Sequence, residues 1–275
     1  MLQILLPSDF SENAKAAAMY AIHLFSRTKC KFYVLHSIAV PTSPMINLSS
    51  KLEDTLREQA QRELTAVIKE LKEICVEPQC EIHTILSNEQ LHVAVERAVI
   101  QYSIDFVVMG TKGATAAKRI LWGSNTVKTI RKMNACPLLI VPDKYEFNDL
   151  KQIAFPSDFN RFYNYKELKP IIQLAKLHDS TIRVVHIDEE DHLSDLQIYN
   201  KTILDDLFMK IKHSFHWLTD EHKKRVEINH FVEDKEIDML AMVRYNHGFM
   251  ESILNEPVIK RIGFHPIVPF LVIPD

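Results

Sequence analysis

The residues with the clearest chemistry lie between Val107 and Thr126. They read Val107-Val108-Met109-Gly110-Thr111-Lys112-Gly113, then residues 114–122, then Gly123-Ser124-Asn125-Thr126. The chain has only five glycines, and three of them fall here. Glycine adopts φ > 0 and lets a phosphate approach the backbone closely. Ser124 reads as the N-cap of a following helix that places Val127 and Ile130 on one face, and the first turn of such a helix presents N–H groups without intrahelical acceptors. The chemistry on offer is anion binding, with phosphate as the natural anion. The spacing G-x2-G-x9-G-S is not the dinucleotide fingerprint, and no Gly-Lys-Ser/Thr makes it a Walker A loop. A surface loop that uses its glycines only for turns is the alternative. The strand before and the helix after favour phosphate.

Those elements follow from the surrounding pattern. Phe106-Val107-Val108-Met109 is short, β-branched and apolar on both faces, as a buried parallel strand is. Leu2 to Leu6 is a first strand, and Pro7-Ser8-Asp9-Phe10-Ser11 turns into a helix from about Glu12 to Arg27 that buries Ala17, Ile22 and Leu24. Phe32 to His36 is a second strand, followed by a proline-containing loop, Ser37 to Ser50. Leu52 to Ile74 is amphipathic, with Leu56, Leu64, Val67, Ile68 and Leu71 on its apolar face. Gln79 to Leu86, Leu91 to Ile100, Asp105 to Met109 and Leu138 to Val141 continue as strand, helix, strand and strand. This alternation predicts a parallel sheet covered by helices on both faces. Ligands of such sheets sit at the strand carboxyl ends, near the reversal of strand order. Pro7-Asp9, His36-Ser37 and Met109-Gly113 all lie at such ends, so one cleft can gather them.

These residues resemble those of the universal stress proteins. Met109-Gly110-x2-Gly113-x9-Gly123-Ser124-x-Thr126 is similar to that family's nucleotide-binding signature. Ile4-Leu5-Leu6-Pro7-Ser8-Asp9-Phe10-Ser11 looks like its first strand and turn, Val34-Leu35-His36 like its second strand, and Pro137-Leu138-Leu139-Ile140-Val141-Pro142 like its last. The resemblance implies ATP, with Mg as its companion ion, held by Pro7, Ser8, Asp9, Ser37, Met109, Gly110, Gly113, Gly123, Ser124, Asn125 and Thr126. Asp9 would meet adenine or ribose, Ser37 would offer a main-chain contact to adenine, and the glycine loop would take the phosphates. Serine replaces the family's usual apolar residue at position 37. Asp9 is equally suited to interact with the dipole at the start of its helix.

The second half repeats the first. Pro7-Ser8-Asp9-Phe10 returns as Pro156-Ser157-Asp158-Phe159, Val34-Leu35-His36 as Val184-Val185-His186, Ile104-Asp105 as Ile237-Asp238, and Leu139-Ile140-Val141-Pro142-Asp143 as Leu271-Val272-Ile273-Pro274-Asp275. Ordered matches of this kind indicate duplication. We therefore expect two tandem Rossmann-like (HUP-type) α/β domains, 1–147 with the ATP-binding motif and 148–275 degenerate. They are expected to pack as a pseudo-dimer with the terminal strands Leu138–Val141 and Phe270–Ile273 near each other. In the second copy Val243 stands for Gly110, only Gly248 of Asn246-His247-Gly248 lies near the place of Gly113, and Asn255-Glu256-Pro257 replaces the Gly123-Ser124 corner. A carboxylate at a phosphate-facing helix start repels the ligand. Phe231-Val232 reads as the third strand of that copy, which leaves only Glu233 to Glu236 to reach Ile237. A parallel crossover needs a dozen or more residues, so either that sheet is rearranged or, the favoured expectation, a helix is missing there.

Other candidates carry less. Lys112, Lys118 and Arg119 could neutralise phosphates or simply be solvated. His36 and His186 end strands, where packing or hydrogen bonding is the usual role. His213, His216 and His222 read as one helical segment, with His213 and His216 on one face, but no carboxylate completes a zinc spacing. No serine or cysteine has a nucleophile signature. The 275 residues carry a net charge of −3, which offers neither a nucleic-acid footprint nor a polybasic membrane patch. No apolar run is long enough to span a bilayer, and no leader is evident. Cys30, Cys75, Cys80 and Cys136 are scattered, and although Cys75 and Cys80 could pair, reduced thiols in a cytoplasmic protein are the expectation. The function implied is a cytoplasmic, nucleotide-dependent stress-response regulator or interaction module, with a second copy or another protein as partner. The alternatives are an adenine-nucleotide-dependent enzyme of the wider HUP group, against which the missing Ser-Gly-Gly loop counts, and a structural or interaction protein without nucleotide. At most slow ATP hydrolysis is expected, because no general base stands out.

Overall fold

The computed structural model describes residues 1–38, 50–75, 80–111, 123–143, 145–187, 193–218, 224–244 and 267–275. The chain divides into two compact units, Met1–Glu146 and Phe147–Asp275. In the first, β1 (Leu2–Pro7), α1 (Glu12–Phe25), β2 (Cys30–Ser37), α2 (Ser50–Ile74), β3 (Cys80–Ser87), α3 (Leu91–Gln101), β4 (Phe106–Gly110), α4 (Ser124–Lys132) and β5 (Leu138–Val141) follow one another. Every strand pair is parallel, in the order β3-β2-β1-β4-β5. The order reverses between β1 and β4, which sets their carboxyl ends side by side.

Burial explains why these segments become these elements. All of β4 and β5 is buried, as their unbroken apolar runs require. Ser11 caps α1 by accepting the Ala14 N–H at 3.2 Å. α1 packs on β1, β4, β5 and α2, whereas α3 packs on β1, β2 and α4. With right-handed crossovers this puts α1 and α2 on one face and α3 and α4 on the other. Phe25, Phe32 and Phe106 are fully buried at the centre, and each such side chain contributes about 1.5–3 kcal/mol. α2 buries Leu64 and Leu71 completely, as its periodicity predicts.

The cysteines depart from the expectation of reduced thiols. Cys75 and Cys80 form a disulfide, their Cα atoms 5.4 Å apart. Cys75 directly follows α2, which ends at Ile74, and Cys80 opens β3, so the end of the helix and the start of the strand bring the two together. Cys30 and Cys136 are free and buried.

The second unit comprises β6 (Gln152–Pro156), α5 (Tyr165–His178), β7 (Thr181–Ile187), α6 (Asp195–Phe208), β8 (His213–Leu218), α7 (Lys224–Asp234), β9 (Met239–Arg244) and β10 (Phe270–Pro274). Its parallel order is β10-β9-β6-β7-β8. Two expectations are corrected here. Phe231 and Val232 belong to helix α7, not to a strand, and α7 itself supplies the crossover from β8 to β9. The connection is closed by Lys235 N–H to Phe231 O (3.0 Å) and Ile237 N–H to Val232 O (2.9 Å), and it needs no further residues. His213 and His216 lie on strand β8, not on a helix, and so face opposite ways. Phe215 and Trp217 lie under Lys201 of α6, while His216 packs against Phe231 of α7 with ring centroids 5.1 Å apart. The alternation His-Ser-Phe-His-Trp-Leu has the strand period, which the spacing of the histidines obscured. His222 lies outside the described residues.

Candidate functional site

The carboxyl end of β1 is a turn knitted by its own side chains. Pro7 is buried in the strand. Ser8 N–H extends the pairing to Leu35 O at 2.8 Å. Ser8 Oγ accepts from Phe10 N–H (3.2 Å), and Asp9 Oδ1 accepts from Ser11 N–H (3.2 Å) and Ser11 Oγ–H (2.6 Å). These bonds hold Phe10 at φ 65°, a left-handed conformation that costs a non-glycine residue about 1–2 kcal/mol. The Phe10 ring stacks on His36 with centroids 4.2 Å apart. His36 Nδ1–H donates to Ser8 O at 2.8 Å, so this histidine braces the turn. Asp9 is exposed at the strand end. Ser37, at the end of β2, donates its hydroxyl to Glu89 O at 2.5 Å and joins β2 to the β3–α3 corner.

The end of β4 meets the start of α4. A Cβ on Gly110 would lie 2.8 Å from Asn13 Cγ and Nδ2, so any larger residue here must displace the Asn13 carboxamide. Left-handed backbone does not call for the glycine, because no described glycine has positive φ. Asn13 Nδ2 donates to Thr111 Oγ1 at 3.5 Å. Thr111 O accepts from Gly123 N–H at 2.7 Å, and Thr126 Oγ1–H donates to Gly110 O at 3.1 Å. The loop is therefore pinned shut at its neck. Lys112, Gly113, Lys118 and Arg119 lie outside the described residues. Met109 is buried in β4, just before the neck.

One detail of α4 is corrected. Its N-cap is Gly123, at φ −64° and ψ 147°, and Ser124 is the first helical residue. Gly123 takes the cap because its N–H is already spent on Thr111. Among the described residues no side chain caps the helix, its first turn holds no acid, and Arg131 and Lys132 occupy its last turn. The positive end of the dipole is thus left for an anion. Ser124 and Asn125 are exposed there, while Thr126 is buried. Asn13 and Thr111 were not singled out from the sequence. The available signal was Asn13 as a polar residue on the alanine-rich buried face of α1.

The second unit repeats the main bonds of the turn. Ser157 N–H meets Val185 O at 2.9 Å, Ser157 Oγ accepts from Phe159 N–H at 3.2 Å, and His186 Nδ1–H meets Ser157 O at 2.8 Å. Phe159, at φ 54°, stacks on His186 at 4.8 Å. Asp105 and Asp238 accept the N–H of Gln3 (2.9 Å) and Gln152 (2.8 Å), respectively. The surroundings differ. Phe159 is 1% and His186 5% exposed, whereas Phe10 and His36 are half-buried. Trp217 lies 5.5 Å from the His186 ring. Buried Tyr163 bonds Ser157 Oγ at 3.2 Å, and burial pushes its phenol up to about 12. Gln197 and Asn200 of α6 donate to the carbonyls of Asp158 (2.9 Å) and Phe159 (2.8 Å). Val243 sits opposite Ile273, the register that Gly110 has with Val141. Gly248, Asn255 and Glu256 lie outside the described residues. Among the described residues no group of three His, Cys, Asp or Glu is placed to hold a metal ion.

Comparison with known proteins fits this geometry. The chain is 28% identical over 148 residues to the universal stress protein MJ0531 of Methanocaldococcus jannaschii, a match covering 50% of this chain and 81% of that protein. It is 27% identical over 159 residues to MJ0577 of the same organism, also a universal stress protein, covering 52% and 95%. A crystal structure of a universal stress protein from Archaeoglobus fulgidus superposes with TM-score 0.70 at 18% identity, covering 99% of this chain and 96% of that one, and shares the fold. A universal stress protein crystallised in complex with cAMP also matches, with TM-score 0.35 and 17% identity over 51% of this chain and 96% of that one. The family model described as the universal stress protein family matches residues 1–142. The chain, more than half of it within that match, belongs to the universal stress protein family.

Proposed function

We propose that the first unit binds ATP, with Mg as companion ion, and that the protein acts in the cytoplasm as a nucleotide-dependent stress-response regulator or interaction module. In this reading residues 1–147 are the nucleotide-binding domain, and 148–275 are a degenerate copy that serves as scaffold. The partner is a second copy of the chain or another protein. Among the described residues no helix is long and apolar enough to cross a membrane.

The observation that carries the reading is the uncapped start of α4 beside the Gly110–Thr111 strand end, closed by the Thr111–Gly123 hydrogen bond. Phosphates are the ligand such a corner suits. Asp9 and Ser37, at neighbouring strand ends, are assigned to the ribose and adenine side, and Ser8, Pro7 and Met109 to the walls. Gly113, Ser124, Asn125 and Thr126 complete the phosphate side. An amide-lined corner of this kind binds without a nucleophile or general base, so the role proposed is recognition, with slow ATP hydrolysis at most.

The test is calorimetric titration of ATP into protein stripped of co-purified nucleotide, paired with thermal unfolding. Free ATP at a hundredfold excess over its dissociation constant stabilises the folded state by about 2.7 kcal/mol. Gly123→Glu places a carboxylate at the dipole's positive end and is expected to abolish that shift while the unliganded protein still unfolds cooperatively. A shift that survives Gly123→Glu overturns the placement.

A further inference from the structure

The α2–β3 corner holds a feature that the nucleotide reading does not use. Cys75 closes α2, Cys80 opens β3, and the two form a disulfide across a sequence separation of 5. β3 is the outer strand of its unit's sheet, paired with β2 alone in that unit. Cys30 lies in register with Cys80 on β2. All three cysteines are buried.

We propose that Cys75 and Cys80 are a reversible redox latch, which in its disulfide form ties the end of α2 to the start of the outer strand β3 and in its dithiol form releases them. Three arguments support it. A cross-link across so short a loop removes little entropy from the unfolded chain, so its effect is local and not that of a global staple. The couple is insulated from scrambling. Burial pushes the Cys30 thiol up to about 12, and its S–H is turned onto the carbonyls of Phe25 (3.5 Å) and Thr28 (3.4 Å). A thiol so held does not attack the neighbouring disulfide at neutral pH. Finally, a disulfide in a cytoplasmic protein is as a rule transient or redox-sensing. That last step rests on the cytoplasmic reading; the first two do not.

The reaction balances as thiol–disulfide exchange with an external dithiol of the thioredoxin or dithiothreitol class. One thiolate of the dithiol attacks a sulfur of the pair, giving a mixed disulfide and one cysteine thiolate. The second thiol of the reagent then displaces the other cysteine. The protein's S–S bond breaks, the reagent's forms, and two protons pass from the reagent to the cysteine sulfurs. Entry is through opening of the last turn of α2, where fraying is cheapest.

The test uses the whole chain, equilibrated with oxidised or reduced dithiothreitol, acid-quenched, alkylated and mapped by peptide mass spectrometry. Cys75 and Cys80 are expected to gain label together after reduction under native conditions, while Cys30 and Cys136, free thiols in both states, are labelled equally in both. Hydrogen exchange is expected to quicken on reduction in residues 71–82 and to stay unchanged in β1 and β4. Cys75→Ser is expected to match the reduced wild type in both redox states, and Cys30→Ser to behave as wild type. Three results would each overturn the proposal: label on both residues in the oxidised protein, a pair that resists the reductant until the protein unfolds, or identical exchange in the two states. None of these readouts involves nucleotide, so failure here leaves the ATP reading standing.

Discussion

Gly110 is the residue on which the first unit's strand ends converge. The Asn13 carboxamide occupies the space a side chain would need, 2.8 Å from an ideal Cβ. Gly110→Ala is therefore expected to destabilise the protein by about 1–3 kcal/mol, the usual cost of overpacking. Asn13→Ala in the same background should recover part of that loss, because the two residues contact directly and their effects are coupled. Strictly additive effects in a denaturation cycle would show that Asn13 is not the obstacle. A second residue sets a pH dependence. His216 Nε2 accepts from Arg183 Nη1–H at 3.2 Å, and Ser214 Oγ lies 2.8 Å from the same nitrogen. Burial, then the Arg183 charge, holds its pKa below the ordinary 6.5. With the folded pKa depressed, the unfolded chain binds the extra proton first. The histidine's contribution is thus complete above the unfolded value and is lost as pH falls through the folded one. The stability gap between wild type and His216→Gln should narrow on going from neutral pH towards pH ~5. A gap that stays constant with pH would rule this out.

At the scale of elements, the helices differ in what they offer an anion: α3, with Gln90 at its N-cap, has no side-chain cap, as α4 has none, while three others are capped. α1 is capped by Ser11, α5 by Asn164 and α6 by Ser194, the latter two in full capping boxes. Each cap satisfies N–H groups that would otherwise await a ligand. α4 has Gly123 there and no side-chain acceptor. Gly123→Ser would supply the missing cap. In that variant the cap and the phosphate compete for the same N–H groups. The expected outcome is an unliganded protein more stable by up to about 1 kcal/mol, with ATP bound more weakly by calorimetry. Tighter ATP binding would contradict the assignment. Strand β8 makes the same point about context. Its aromatic alternation works only because α6 covers Phe215 and Trp217 while α7 covers His216.

For the whole molecule, the expected stoichiometry is one ATP per chain. In the second unit the repeated turn is kept, but its crevice is taken up by the molecule's own side chains. Tyr163 is hydrogen-bonded to Ser157, Phe159 and His186 are covered, and Trp217 sits against the His186 ring. Arg161 is likewise held by Glu167 and by Asp275, the latter at 3.1 Å. A nucleotide would have to displace well-packed aromatics, and Val243 stands where the first unit has Gly110. Titration of the wild type should therefore saturate at one equivalent, and Asp158→Ala should leave the ATP isotherm unchanged while Asp9→Ala weakens it. Two equivalents, or the reverse response of the two aspartates, would overturn the assignment of ATP to the first unit alone.

Much of this was legible in the sequence because it depends on local pattern. The apolar runs of β4 and β5, the Pro-Ser-Asp-Phe turn and the order of strands and helices in the first half are short-range properties, governed by burial of both faces and by side-chain capping. The repeat was readable for the same reason: Ser157 and Phe159 form locally the turn that Ser8 and Phe10 form. What needed the tertiary structure was any role that depends on a residue far along the chain. Gly110 is explained by Asn13, about a hundred residues earlier, and Gly123 becomes the cap because Thr111 claims its N–H. The strand at His213–Leu218 was hidden because two histidines at helical spacing outweighed a six-residue alternation, a pattern that stays ambiguous until the covering helices are known. Cys75 and Cys80 are near in sequence, yet whether they meet is decided by where the end of α2 and the start of β3 stand relative to each other.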